Sequence, residues 1–273
     1  MDTNGKSKSN ANERYRVYLV SHKGLVRDNN EDNFTINNIS KKLEYKNVKF
    51  VSEHDAPMLA AVFDGMGGEA KGEYASFISA KTAKQLYTDI TVTPNPATRL
   101  EEFVGRFIQK ANDDIRTFLE ENKCQTGGST VVALVFINGV AYPFSLGDSR
   151  IYLLRNGVLT QISKDQTLAM KKYEANIYTL EEAERSLDSH KLTSFLGVDY
   201  YRQGLSPQLF EPIAMQDNDK LLLCSDGLYD ELGLQDIQNV MLQNPDRPAF
   251  KLVQAALNRG GNDNVTCAVI ERV

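Results

Sequence analysis

The chain has 273 residues, with 36 Asp and Glu against 31 Lys and Arg, for a formal net charge of -5. That balance leaves no basic excess for nucleic-acid phosphates or anionic lipid and disfavours non-specific binding to either. Only three His (His22, His54, His190) and three Cys (Cys124, Cys224, Cys267) occur, none in paired ligand spacing, so a zinc site built on cysteine pairs is excluded and any bound metal must be held by oxygen.

Residues 1–13, rich in Asn, Ser and Lys, read as a disordered lead-in. They hold no apolar stretch, and no segment reaches the roughly 18 apolar residues of a membrane helix. Cys224 and Cys267 lie inside apolar runs, as reduced buried thiols do, so a cytoplasmic protein without its own anchor is expected. Residues 14–273 contain no linker or repeat and read as one domain.

In chain order, YRVYLVS, NFTIN and APMLAAVFDG are strand candidates, and KKLEYKNVKFVSEHD between the last two reads as a polar hairpin or loop. Ala75, Ile78, Thr82 and Leu86 then recur at helical spacing. A broad apolar stripe from Leu100 to Leu119 predicts a second amphipathic helix over 97–122. The Asn138-Gly139 and Asn156-Gly157 pairs predict an antiparallel meander over the following segment, whose first strand is apolar on both faces. Residues 164–200 are highly charged, with a short helical piece at TLEEAERSL, and read as a mobile surface insertion. DKLLLCSDG is a buried strand, LGLQDIQNVML and PAFKLVQAALN are helices, and NVTCAVIERV is a closing strand. The order implies sheets packed together with helices outside.

The acids fall in a pattern. Asp64, Asp148 and Asp226 each stand beside a glycine at the end of an apolar strand. Asp263 sits in GGNDNV just before the last strand, and Glu31 and Asp32 lie side by side ahead of another. One Asp-Gly alone is most often a turn. Several carboxylates near one edge, however, repel unless cations neutralise them, and an oxygen-only set suits Mg²⁺ or Mn²⁺. Gly65, Gly67 and Gly68 let the backbone approach a ligand, or simply make a flexible turn. Neither nucleotide-loop pattern, G-x-G-x-x-G nor G-x-x-x-x-G-K-[ST], is present. Arg27, four residues before Glu31, is a surface arginine or, beside a metal cluster, a fork for two phosphate oxygens.

At these residues the sequence resembles the metal-dependent protein phosphatases of the 2C type, especially compact bacterial members. The matching segments are SHKGLVRDNNEDNF, AAVFDGMGGEAKGEYAS, GGSTVVAL, SLGDSRIYLLRNGVLTQISKD, LTSFLG, DKLLLCSDGLYD and GGNDNVTCAVI. The resemblance implies an α+β fold, a four-layer α-β-β-α sandwich of two central antiparallel sheets flanked by helix pairs, with a flap insertion at about 166–191. It implies two Mn²⁺ or Mg²⁺ ions per chain. Asp64 would bridge both, Asp226 and Asp263 would complete one site, and Glu31 with the Gly65 carbonyl would complete the other. Asp148 and Asp226 match a third, weaker site. Asp32 would hold metal-bound water and Arg27 the phosphoryl group. The implied reaction is hydrolysis of phosphoserine and phosphothreonine by a metal-bridging hydroxide, without a phosphoenzyme.

The implied partners are phosphoproteins, substrates of a bacterial Ser/Thr kinase and the kinase itself, met by a monomer that touches neither nucleic acid nor membrane. Departures from the pattern are Met66, which cannot donate the proton that a histidine would supply there, Gln166 after the SKD segment, and Ser129 in place of threonine. His22 reads as a polar residue at a strand end. Two further readings stand beside this one: a non-catalytic module of the same fold that binds phosphoproteins, and a dinuclear hydrolase of nucleotides or phosphodiesters.

Overall fold

The structure, a computed structural model, describes residues 13–67, 71–92, 99–124, 126–199 and 205–273. The expected lead-in up to residue 12, Gly68 and the start of the second helix at residue 97 lie outside them. Two antiparallel sheets stack face to face. The first has six strands: β1 (Arg14–His22), β4 (Asn47–Asp55), β10 (Arg150–Arg155), β11 (Val158–Gln161), β14 (Lys220–Cys224) and β15 (Val265–Arg272), in the order β11-β10-β14-β15-β1-β4. The second contains β2 (Asn33–Ile36), β3 (Ile39–Ser40), β5 (Met58–Phe63), β8 (Val131–Ile137), β9 (Val140–Leu146) and β12 (Gln208–Leu209), in the order β12-β9-β8-β5-β2-β3, while β13 (Ile213–Ala214) also pairs with β9. A two-stranded ribbon joins β6 (Gly65–Met66) to β7 (Gly128–Ser129).

Three apolar layers account for the stacking. Between the sheets, Tyr15, Val17 and Leu19 meet Phe34, Met58, Val132 and Phe136, all at most 1% exposed. The other face of the second sheet is covered by α1 (Lys71–Val92) and α2 (Leu100–Glu121), whose Phe107, Ala111 and Ile115 pack on Phe63, Val131 and Ala133. Beneath the first sheet lie α5 (Asp226–Tyr229), α6 (Leu234–Gln243) and α7 (Pro248–Arg259), with Ile237, Met241 and Leu252 against Tyr152, Leu222 and Val269. The four-layer α-β-β-α sandwich implied by the resemblance is the observed architecture. Burial of β8 on both faces is the reason it reads as a continuous apolar run.

Three expectations need correction. The KKLEYKNVKFVSEHD segment contains the nine-residue strand β4. It is an edge strand, paired only with β1, so its residues alternate between exposed and half-buried and the apolar signal is weak. The meander is divided, because β8 and β9 belong to the second sheet while β10 and β11 belong to the first; the chain crosses between sheets at Gly147-Asp148-Ser149. The insertion holds α3 (Leu168–Glu174), α4 (Leu180–Arg185) and a 3-10 turn at Leu187–His190, more regular structure than the single helical piece expected. No helix among the described residues is long and apolar enough to cross a membrane.

Candidate active site

The acids gather because the strands that end in them stop at one edge of the sandwich. Asp64 follows β5, and its backbone is held by Thr130, whose N–H donates to the Asp64 carbonyl at 2.9 Å and whose Oγ1 accepts from the Asp64 N–H at 3.1 Å. The same Oγ1 lies 2.7 Å from Ser149 Oγ, so one threonine ties the Asp64 turn to the crossover that carries Asp148. Gln166 brackets that crossover, donating its N–H to the Gly147 carbonyl at 2.9 Å and accepting the Gly147 N–H at 2.8 Å. Gly147 has φ +107°, a value that favours glycine.

Asp226 begins α5 directly after β14. The preceding Ser225 Oγ donates to Asp32 Oδ2 at 2.7 Å, joining two of the acid-bearing segments. Asn264, beside Asp263, joins a third to them. Its Oδ1 accepts the Glu31 N–H at 2.7 Å, while its Nδ2 donates to the carbonyls of Lys23 at 2.9 Å and Asn29 at 2.8 Å. Arg27 crosses the rim to Asp263, with Nη2 to Oδ2 at 2.6 Å and the guanidinium side chain 55% exposed.

Gly65 is where close approach matters. A Cβ there would collide with the carbonyl oxygens of Gly72 and Glu31, and a Cβ on Gly72 would lie 2.7 Å from Glu31 Oε2 and 2.8 Å from the Gly65 carbonyl oxygen. The Glu31 carboxylate and the Gly65 carbonyl thus face the same small space, the pairing that the resemblance implied for one metal.

The electrostatics of the cluster are those of burial and like charges, only partly offset by nearby cations. Burial, then Asp226, Asp32, Asp148 and Asp263 in that order, push the Asp64 carboxyl well above its ordinary range. Burial, then Asp148, Asp230, Asp263 and Asp32, do the same to Asp226. Burial lifts Asp32 to about 6 against the lowering effect of Ser225 and Thr266, and lifts Asp148 to about 7. Glu31 rises to about 7, chiefly by burial, with Arg27 opposing and Asp263, Asp32 and Glu73 adding to the rise.

Among the described residues no donor reaches the carboxylates of Asp64 or Asp226, and neither makes an ion pair within 4 Å, although Asp226 feels the charge of Arg27. Half-buried, unpaired carboxylates of this kind are the donor set that hard divalent cations fit. Among the described residues no three His, Cys, Asp or Glu side chains stand close enough about one point to ligate an ion as they are. Arg27 holds one lobe of Asp263.

Several residues at the site escape a reading of the sequence. Asp230, one turn after Asp226, adds to the charge felt by Asp226 and Asp148. Arg150 forks onto Asp165 through Nη2 at 2.7 Å and stacks over the Tyr229 ring at 3.6 Å, while the Tyr229 hydroxyl donates to the Asp148 carbonyl at 3.1 Å. A cavity of about 640 Å³ opens beside them, walled by Arg150, Asp165, Tyr229 and Asp230 on one side and by Met170 and His190 of the insertion on the other. The available signal was the second acid in CSDGLYD; that of Arg150 is three-dimensional. His22 is a strand-end residue whose Nδ1 accepts the Gly24 N–H at 3.0 Å.

The chain belongs to the protein phosphatase 2C family, whose model matches residues 46–268. Among curated relatives, it is 33% identical over 271 residues to the serine/threonine protein phosphatase PstP of Mycobacterium tuberculosis, covering 94% of this chain but 46% of PstP, about half of that relative's length. It is 27% identical over 253 residues to the serine/threonine phosphatase Stp of Listeria monocytogenes, covering 92% of this chain and 93% of Stp. A crystal structure of the PstP catalytic domain in complex with two manganese ions superposes with a TM-score of 0.74 at 31% identity, covering 96% of this chain and 99% of that one.

Proposed function

We propose that this chain is a divalent-metal-dependent phosphatase that hydrolyses phosphoserine and phosphothreonine in proteins. The observation that carries the reading is the set of half-buried and buried carboxylates that repel one another at one edge of the sandwich, rimmed by the exposed Arg27. We assign Asp64, Asp226, Asp263, Glu31 and the Gly65 carbonyl to two Mn²⁺ or Mg²⁺ ions, and Asp148 with Asp226 to a third, weaker one. Bound there, such ions would neutralise the acids, polarise phosphoryl oxygens and lower the pKa of water.

The chain's own groups have separate tasks. Arg27 offers the guanidinium donors not engaged by Asp263 to the phosphoryl group. Asp32, held by Ser225, orients the attacking water. Met66 has no proton to give the leaving oxygen, so water must supply it. Cys224 and Cys267 do not serve as nucleophiles: burial pushes both thiols well up, out of the thiolate range. We assign residues 14–273 to one catalytic domain, acting as a cytoplasmic monomer on the products of a bacterial Ser/Thr kinase and on the kinase itself.

The test is hydrolysis of p-nitrophenyl phosphate and a phosphothreonine peptide, with Mn²⁺ and with EDTA, by the wild type and by Asp226→Ala. Turnover of both substrates with Mn²⁺, abolished by EDTA and lowered at least about a hundredfold by Asp226→Ala, is expected. Activity indifferent to EDTA would overturn the metal assignment, and no turnover with Mn²⁺ would leave a phosphoprotein-binding module.

A further inference from the structure

The segment Arg27–Glu31 carries Arg27 and Glu31 and leads into Asp32, yet it has no secondary structure to fix it. Its five consecutive carbonyls are each held by a side chain: one from the same connection, two from the β3–β4 connection, one from α1 and one from the turn before β15. Lys23 Nζ donates to Arg27 O at 2.9 Å and Lys46 Nζ to Asp28 O at 2.7 Å. Asn264 Nδ2 donates to Asn29 O and Lys41 Nζ to Asn30 O, both at 2.8 Å, and Ser76 Oγ donates to Glu31 O.

Lys41 differs from the other two lysines because its side chain is 1% exposed. Its backbone is locked as well, with its N–H donating to Asn33 Oδ1 at 3.0 Å and its carbonyl accepting from Asn33 Nδ2 at 3.3 Å. The charges facing its ammonium are Asp32 and Glu73. Glu73, in the first turn of α1, in turn accepts from the Asn29 amide. A buried ammonium is costly unless it is bonded and faces opposite charge, and here it bonds the Asn30 carbonyl, midway along the loop from Arg27 to Asp32, and faces Asp32 and Glu73.

We propose that Lys41 is a positioning residue that fixes the Arg27–Asp32 loop, and with it the spacing of Glu31, Asp32 and Arg27 around the bound ions. It touches neither substrate nor metal; it acts through the Asn30 carbonyl. The inference rests on the metal reading of the site given above.

The test compares wild type with Lys41→Met by amide hydrogen exchange of residues 27–32 in the EDTA-treated protein, and by calorimetric titration with Mn²⁺. The Glu31 and Asp32 amides of Lys41→Met should exchange faster while the β8 amides stay unchanged, and its Mn²⁺ affinity should fall about tenfold, as for residues that orient ligands from behind. Unchanged exchange over 27–32 would overturn the proposal whatever happens to the melting temperature. Mn²⁺ bound as tightly as by wild type, or more tightly, would also overturn it, because the ammonium would then merely offset charge. Lys41→Leu, which also removes the ammonium donor, takes the same two readings if Lys41→Met does not fold. A wild type that takes up no Mn²⁺ would sink the metal reading instead, and the exchange comparison would still judge Lys41.

Discussion

Arg27 commits one Nη to Asp263 at 2.6 Å and keeps its remaining donors at the open rim. If those donors meet the phosphoryl group, their loss should appear in substrate binding rather than in metal uptake. Hydrogen bonds to charged groups contribute about 1.5–3 kcal/mol, so Arg27→Ala should lower kcat/KM for a phosphothreonine peptide roughly ten- to hundredfold, mainly through KM. The Mn²⁺ concentration at half-maximal activity should hold or fall, since Asp263 loses a competing cation. Steady-state kinetics across Mn²⁺ concentrations separate the two, and an unchanged KM with a raised Mn²⁺ requirement would make Arg27 a mere support for Asp263. At this scale the acids were legible because each stands beside a turn at a strand end. Lys41 and Glu73 were not. A Lys in a KK pair and a Glu in a helix's first turn read as solvated until the packing shows them 1% and 8% exposed.

The elements tell the same story in a different form. Strands buried on both faces announce themselves by composition, whereas β4, paired to β1 and packed on the core only through Val48 and Phe50, carries a charged outer face. Glu53, Arg16, Glu271 and Lys220 lie in register across β4, β1, β15 and β14, forming a row of alternating sign. Such a row depends on residues more than 200 positions apart, and nothing local in KNVKFVSEHD reports it. The division of the meander was hidden for a similar reason, since β10 is as apolar as β9 and only the Asp148 crossover distinguishes the sheets. The insertion has an organising point of its own in Asp188, which binds Lys172, receives Lys191 at 2.8 Å and accepts the Tyr178 hydroxyl at 3.2 Å. The two lysines pull its carboxyl down to about 2, so these bonds persist from just above that value up to the alkaline range in which the lysines lose their protons. Asp188→Asn should therefore loosen α3 and α4 locally. Limited proteolysis should cut within residues 168–191 several times faster than in wild type, with the global urea midpoint nearly unchanged; equal protection would show that packing alone holds the insertion.

Across the whole molecule, three apolar interfaces stabilise a sandwich whose one edge collects like charge, so fold and site pull against each other. Acids whose pKa rises on folding favour the folded state fully only below their ordinary values, 3.8 for Asp and 4.5 for Glu, and that contribution drains away as pH climbs through the folded values. With Asp32 at about 6 and both Glu31 and Asp148 at about 7, the loss should run from about pH 4 to pH 7. A tenfold change in a group's acidity on folding corresponds to about 1.4 kcal/mol, and for a chain of this size 1 kcal/mol moves the melting midpoint by roughly 2–4 °C. The EDTA-treated protein should therefore melt at least about 5 °C lower at pH 8 than at pH 5. Divalent cations bind the ionised acids and compete with protons for them, so Mn²⁺ should raise the midpoint more at pH 8 than at pH 5 and thereby shrink or reverse the difference. In Asp226→Asn, one repelling carboxylate fewer should flatten the metal-free pH dependence while most of the Mn²⁺ protection disappears. Thermal denaturation followed by circular dichroism at the two pH values, with EDTA and with Mn²⁺, measures all four quantities. A metal-free midpoint that holds steady or rises between pH 5 and pH 8 would mean that the clustered acids do not burden the fold, and the electrostatic case for bound cations would go with it.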